Sequence, residues 1–139
     1  MAENKTIIYL DTNFFVYLFT KEPNEVQTIL THLEKYKVFT SCLTYDEFVW
    51  SIRKLFNKET SLKAAEFLLS LETIYFLDLT KTTLNKSIET MQKFHLKPRD
   101  ALHLATMQIK TITTIVTDDS DFATIEGIKN ISVSDFLNY

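Results

Sequence analysis

Short apolar runs alternate with longer amphipathic stretches along the 139 residues of the chain. The apolar runs are rich in residues that favour strands, and short continuous runs of this kind are typical of strands buried on both faces. They lie at residues 7–10, 38–40, 74–77 and 115–117, with a candidate fifth at 131–133.

The stretches between these runs carry apolar residues at intervals of three and four, which predicts helices. A proline stands at the predicted start of two of them, where its fixed φ suits the first helical turn. The predicted helices lie at 23–33, 45–56, 62–71, 84–91 and 98–109, and a further one begins near Asn13. Strands that alternate with helices predict a parallel sheet covered on both faces. We therefore expect one α/β domain over residues 1–139, in three α/β/α layers around a mainly parallel sheet of four to five strands.

Composition excludes several kinds of phosphate site. Gly127 is the only glycine, where average usage near 7% predicts about ten. A Walker loop, a dinucleotide fingerprint and a glycine-lined phosphate cradle all need more glycines than this.

Charge and cysteine content narrow the class of protein further. The formal net charge of −3 argues against a broad basic face for nucleic acid, although not against local action on it. Cys42 is the only cysteine, which excludes a disulfide framework and a thiolate metal cluster and favours a reducing cytoplasm. No apolar run has the length of a signal peptide or a membrane span, so we expect a cytoplasmic protein with no membrane partner.

Acidic residues follow the predicted strands at one end. In an open α/β sheet, ligands bind beyond the carboxyl ends of the strands. Four separate segments deliver carboxylates toward that edge. They carry Asp11 after the first strand, Glu47 in the helix after the second, Asp100 just after Pro98, and Asp118, Asp119 and Asp121 after Thr117.

Each of these residues also has a structural explanation. Asp11 suits a helix N-cap, Asp100 suits a first helical turn, and the aspartates after Thr117 suit a turn. Glu47 is harder to explain in this way, because Ser51 rather than a basic residue stands four positions later.

The expected position of these carboxylates at one edge of the sheet favours a metal site. Clustered carboxylates repel one another, so they persist with raised pKa values or with a bound cation. Oxygen ligands select Mg²⁺ or Mn²⁺ rather than zinc, and His32, His95 and His103 have no partners at zinc-site spacing. We expect His103, within an apolar helix, to be a packed side chain.

Four segments together resemble the acidic motifs of PIN-domain ribonucleases. They are IIYLDTNFFVYLF, TYDEFVWSIRK, KPRDALHLATM and IVTDDSDF, and they span residues 7–122 in the order and spacing of that family. A minimal chain of this kind is most similar to the VapC-type toxins of toxin–antitoxin pairs.

The resemblance implies roles for individual residues. It identifies Asp11, Glu47, Asp100 and Asp119 as catalytic, Asp11, Asp100, Asp119 and Asp121 as metal ligands, and Asn13 and Thr117 as supporting groups. Asp46 and Asp118 stand beside two of these positions and are alternatives to them. Candidate RNA contacts are Lys97, Arg99, Arg53 and Lys54.

The activity implied is that of a Mg²⁺- or Mn²⁺-dependent endoribonuclease whose acidic cluster positions the ions. The resemblance also implies an RNA substrate, a cognate antitoxin and a homodimer. A PIN nuclease of RNA processing without a toxin role is one alternative. Two others are a phosphoacceptor receiver module that uses Asp78, and a haloacid-dehalogenase-type phosphatase with Asp11 as its nucleophile. The phosphatase family has a second Asp where this chain has Asn13.

Overall fold

The computed structural model describes residues 4–138. Its strands are β1 (Thr6–Leu10), β2 (Tyr36–Ser41), β3 (Ile74–Leu77), β4 (Thr114–Val116) and β5 (Lys129–Ile131). Its α-helices are α1 (Thr12–Phe19), α2 (Pro23–Leu33), α3 (Cys42–Leu55), α4 (Lys58–Leu69), α5 (Lys81–Phe94), α6 (Pro98–Ile109) and α7 (Val133–Leu137). A 3₁₀ turn at Ser120–Phe122 connects β4 to β5.

The five strands form one sheet in the order β3-β2-β1-β4-β5. Every pairing is parallel, so the predicted sheet is confirmed. The chain builds outward from β1 through β2 to β3 and then returns to place β4 on the other side of β1. The strand order therefore reverses between β1 and β4.

Both faces of the sheet are buried, which explains the continuous apolar runs. Ile8 and Leu10 belong to a core that α1, α2, α3, α4 and α7 complete on one face. Tyr9 and Ile115 belong to a second core under α6 on the other face. Alternate residues of one strand thus stabilise two different layers, and the predicted three-layer α/β/α architecture is confirmed.

The predicted fifth strand is displaced at its end. β5 stops at Ile131 because Ser132 caps a helix, its Oγ accepting a hydrogen bond from the backbone N–H of Asp135 at 3.1 Å. Val133, expected in the strand, is the first residue of α7 and is buried with Phe136. The Ser132 cap therefore ends the strand at a point where apolar content alone predicted that the strand would continue.

The predicted apolar face of α5 is only partly buried, since Met91 packs against the second core but the other two apolar residues do not. Leu84 and Ile88 are 49% and 51% exposed, whereas Thr83, Ser87 and Thr90 are buried. The Thr90 hydroxyl donates to the carbonyl oxygens of Ser87 and Ala101 at 2.9 and 3.0 Å. Small hydroxyl residues satisfied in this way let α5 pack closely on α6 without burying an unpaired polar group.

Among residues 4–138, no helix is both long enough and apolar enough to span a membrane.

Thr111, just after α6, has a φ of 58°, in the left-handed region that a β-branched residue rarely adopts. Its side chain is exposed. We expect Thr111→Gly to raise the free energy of unfolding by about 0.5–1 kcal/mol, because the steric cost outweighs the added chain entropy of glycine. Urea denaturation measures this. Thr113→Gly, at an exposed position without a positive φ, should be neutral or destabilising, and a loss of stability in Thr111→Gly would contradict the prediction.

Candidate functional site

The candidate site lies where the strand order reverses. Asp11 follows β1 and Thr117 follows β4, and these two strands are hydrogen-bonded neighbours. The chain leaves them toward opposite faces of the sheet, which opens a crevice at their carboxyl ends. The amino-terminal half of α3 and the first turn of α6 border the same crevice and contribute Glu47 and Asp100.

Asp11 is nearly buried, with 6% of its surface exposed. Its Oδ1 accepts a hydrogen bond from the backbone N–H of Thr12 at 2.7 Å, and it is the N-cap of α1 as its position predicts. Its Oδ2 accepts from the Thr117 hydroxyl at 2.6 Å. Two donors from different segments therefore fix the orientation of this carboxylate.

Thr117 connects the loop after β4 to the start of α1. Its Oγ1 accepts hydrogen bonds from the backbone N–H of Asp119 at 3.0 Å and from Asn13 Nδ2 at 3.4 Å. Asn13 Oδ1 in turn accepts from the backbone N–H of Asp118 at 3.3 Å. Asn13 and Thr117 thus connect the two aspartate-bearing segments through hydrogen bonds.

Glu47 extends from α3 toward Asp11. Its Oε1 accepts hydrogen bonds from the Thr12 hydroxyl at 3.0 Å and from His103 Nε2 at 2.5 Å. Burial on its own would raise the pKa of Glu47, but the bond and charge of His103, the Thr12 bond and the charge of Arg99 lower it overall. Glu47 is therefore held as a carboxylate.

His103 is the site residue that the sequence pattern did not reveal. It is buried as predicted, at 1% exposure, but it is more than a packed side chain because Nδ1 lies 2.6 Å from the Tyr9 hydroxyl and Nε2 bonds Glu47. Burial alone would lower the pKa of His103. The interactions with Tyr9, Glu47 and Asp11 instead raise it well above its ordinary value. The signal in the sequence was the spacing of three from Asp100, which places both side chains on one side of α6.

A second carboxylate group adjoins the first. Asp100, Asp119 and Asp121 each offer an oxygen atom within 4.8 Å of the other two. Asp119 caps the 3₁₀ turn, with Oδ1 accepting from the backbone N–H of Asp121 at 2.9 Å. Burial raises the pKa of Asp100 to about 7, together with the charge of Asp119, a hydrogen bond with Asp121 and the charges of Asp121 and Asp11.

Two adjoining cavities of about 360 and 610 Å³ open onto these carboxylates. Both are lined by Glu47, Asp100 and Asp119. The smaller one reaches Asp11, and the larger one is bordered by Lys97 and Arg99. The predicted acidic residues and two of the four predicted cations therefore meet in one continuous depression.

The other two predicted cations lie on α3 next to Leu55, which borders the smaller cavity. Arg53 and Lys54 are exposed in the last turn of α3, and Lys54 Nζ lies 5.6 Å from the centre of the Trp50 ring. Neither residue lines either cavity.

The neighbouring acidic residues are also separated from the cluster. Asp46 is exposed on α3. Asp118 Oδ1 accepts from the backbone N–H of Val133 at 2.9 Å and so ties α7 to the loop after β4. Asp78, the residue that a receiver module requires, lies at the edge strand β3, where Cys42 Sγ is 3.8 Å from its Oδ1.

The donor chemistry fits a hard divalent cation. Asp100, Asp119 and Asp121 supply only oxygen atoms, and their mutual repulsion is relieved by positive charge. Asp11, Glu47 and His103 also lie within 4.8 Å of one another, but both ring nitrogens of His103 are occupied by hydrogen bonds. The carboxylates are therefore the groups available to a metal ion.

Solved structures of similar shape include two DNA-bound VapBC complexes and a VapC toxin. The VapBC2 complex of Rickettsia felis, bound to a promoter DNA fragment, has a TM-score of 0.71 at 20% identity, with 91% of this chain and 98% of that chain covered. DNA-bound VapBC from Salmonella typhimurium has a TM-score of 0.71 at 16% identity, covering 92% and 98%. VapC20 of Mycobacterium tuberculosis, a toxin that cleaves the sarcin–ricin loop, has a TM-score of 0.66 at 20% identity, covering 84% and 92%. At these identities the likeness establishes the fold.

The sequence itself identifies the family. No curated protein matches the chain in sequence. Residues 8–128, however, match the profile of the PIN domain, and this range contains every carboxylate of the two groups described above. The chain therefore belongs to the PIN domain family.

Proposed function

We propose that this protein is a divalent-metal-dependent endoribonuclease. The observation that carries the proposal is the convergence of carboxylates from four separate segments on one crevice, where burial and the neighbouring carboxylates raise the pKa of Asp100 to about 7. Such a cluster costs free energy unless it binds a cation, so its presence favours a function that uses one. Membership of the PIN family supports the same proposal.

Asp100, Asp119 and Asp121, with Asp11 beside them, would hold Mg²⁺ or Mn²⁺. A bound ion of this kind neutralises phosphate charge and lowers the pKa of a coordinated water. The chain has no glycine cradle that would serve a phosphate in its place, since Gly127 is the only glycine.

Other residues would orient the substrate and handle the proton. Glu47 lies between the two cavities as a carboxylate, in a position to orient water or accept a proton. Lys97 and Arg99 border the larger cavity, where they would bind the phosphates that flank the cleaved bond. Arg53 and Lys54 would contact only a substrate that extends past the end of α3.

The biological role that we propose is that of a toxin with a cognate antitoxin. The structures from Rickettsia felis and Salmonella typhimurium are VapBC complexes, and the chain covers almost the whole of the matched subunits. VapC20 cleaves the sarcin–ricin loop, which supports RNA as the substrate class. We further propose a homodimer that acts in the cytoplasm.

Cleavage of structured RNA by the purified protein tests this proposal. We expect cleavage with Mg²⁺ or Mn²⁺, no cleavage with excess EDTA, and recovery when Mg²⁺ is restored. A DNA oligonucleotide of matched sequence should stay intact. Undiminished cleavage in EDTA would contradict metal dependence, and cleavage of DNA alone would contradict the substrate.

The toxin role is tested separately in cells. Induced expression should stop growth, and a small protein encoded beside the gene should restore it. Cleavage in vitro without growth arrest would instead favour an RNA-processing nuclease.

A further inference from the structure

We infer that His103 is a positioning residue that fixes the Glu47 carboxylate so that one of its oxygens faces the reaction cavity. The inference rests on the proposed nuclease function, because Glu47 has a catalytic role only in that proposal. Its evidence is a series of hydrogen bonds beneath the acidic cluster.

A series of hydrogen bonds runs from the sheet to the cavity. Tyr9 Oη lies 2.8 Å from Ser41 Oγ and 2.6 Å from His103 Nδ1, and it forms a hydrogen bond with each. On the other side of the ring, Nε2 donates to Glu47 Oε1. Rotating the imidazole would break both bonds, and Tyr9 also packs edge-on against it, with ring centres 5.7 Å apart. The ring therefore has one orientation.

The two oxygens of Glu47 differ in their surroundings. Oε1 accepts from both the Thr12 hydroxyl and His103 Nε2. Among residues 4–138, no side chain or backbone N–H donates to Oε2, while Glu47 lines both cavities. Holding one oxygen with two donors leaves the other presented to the cavity in a defined direction. A catalytic group positioned in this way loses less conformational freedom when the substrate binds.

The location of His103 makes this arrangement precise. His103 and Asp100 are three residues apart on α6, so one rigid helix sets the positions of a carboxylate and of the group that orients Glu47. Thr12, the second donor, is the residue directly after Asp11 and the first residue of α1. Glu47 is thus aligned to the two segments that carry Asp11 and Asp100.

Two substitutions at His103, one without a hydrogen-bond donor and one with an amide donor, test this role. His103→Leu fills much of the space without a donor, and we expect it to lower kcat by about 10–100-fold, the usual effect of removing a group that orients a ligand or catalytic residue. KM for RNA and the rise in melting temperature with Mg²⁺ should change little. His103→Gln offers an amide donor toward Glu47 and should recover part of kcat. His32→Leu, which removes a histidine bonded to the carbonyl of Phe136 at 2.9 Å, is the control for lost packing and should keep kcat.

A double-mutant cycle separates positioning from general support. In a Glu47→Gln background, His103→Leu should cause little further loss, because the group it orients has already been replaced. Full additivity, or wild-type kcat in His103→Leu, would overturn the inference.

An NMR measurement decides the same question without activity. A slowly exchanging Nε2–H proton should be seen for His103, and Glu47→Gln should shift its signal toward higher field. If the wild-type protein cleaves no RNA, the proposed function fails, while these signals still show whether His103 holds Glu47. A ring without a protected Nε2–H, or an Nε2–H signal unchanged in Glu47→Gln, would overturn the inference.

Discussion

Asp100→Asn is expected to reduce RNA cleavage by more than about 100-fold, beyond the effect of removing a supporting group, and to raise the melting temperature of the metal-free protein. Burial and the charges of Asp119, Asp121 and Asp11 raise the pKa of Asp100. Asparagine removes a proposed metal ligand and part of the repulsion within the cluster at once, so activity and stability should move in opposite directions. Single-turnover cleavage with Mg²⁺ and thermal unfolding in EDTA measure the two effects.

Two neighbouring aspartates provide matched controls for Asp100→Asn. Asp118→Asn keeps an oxygen that can accept from the backbone N–H of Val133, and Asp46 is exposed on α3. Asparagine at either position should leave RNA cleavage close to the wild-type rate. Activity that survives in Asp100→Asn, or an equal loss in Asp118→Asn, would show that the cluster is not the centre of the reaction.

The metal-free protein should lose stability as the pH rises from about 5 to about 8. The pKa of Asp100 in the folded protein is about 7 against an ordinary value of 3.8, so between these values the folded state binds more protons than the unfolded state. The free energy of unfolding then falls as the pH rises. His103 acts in the same direction, because its raised pKa gives stability that is complete below its unfolded value and is lost as the pH passes the folded one. Glu47, with a lowered pKa, adds stability that is lost only at more acidic pH.

Urea unfolding in EDTA across this pH range measures the trend. Mg²⁺ should raise the melting temperature most at the upper end, where the cluster is fully ionised and binding to the folded state stabilises it. Asp100→Asn should flatten the profile and weaken the response to Mg²⁺. Stability that rises with pH in EDTA, or a wild-type protein indifferent to Mg²⁺ at about pH 8, would contradict a self-repelling cluster that binds a cation.

The strands and the position of the acidic residues were predictable because both depend on local patterns. Ile8, Tyr9 and Leu10 are apolar in succession because both faces of β1 are buried there, and Asp11 follows them where the strand ends. Parallel pairing then places the carboxyl ends of β1 and β4 at the same edge of the sheet. A short stretch of sequence is enough to predict these features, because they do not depend on contacts with distant residues.

Other features depended on contacts between distant residues. Apolar spacing predicted that Leu84 and Ile88 would face the core. Hydroxyl residues of α5 are buried instead, and the Thr90 hydroxyl donates to the carbonyl oxygen of Ala101 in α6. His103 looked like a core residue, because its partners Tyr9 and Glu47 lie 94 and 56 positions away in the chain. Only the folded arrangement shows that a buried histidine is joined to both.

The order of the carboxylates along the chain has a consequence for synthesis. Asp11 emerges first, Glu47 and Asp100 follow, and Asp119 and Asp121 come only after β4. No amino-terminal fragment that ends before residue 119 contains the whole proposed metal site, and Thr117, which fixes Asp11, is also made late. A chain whose synthesis stops before residue 121 would therefore lack part of the proposed metal site, so the proposed RNA cleavage would require translation of nearly the entire described chain.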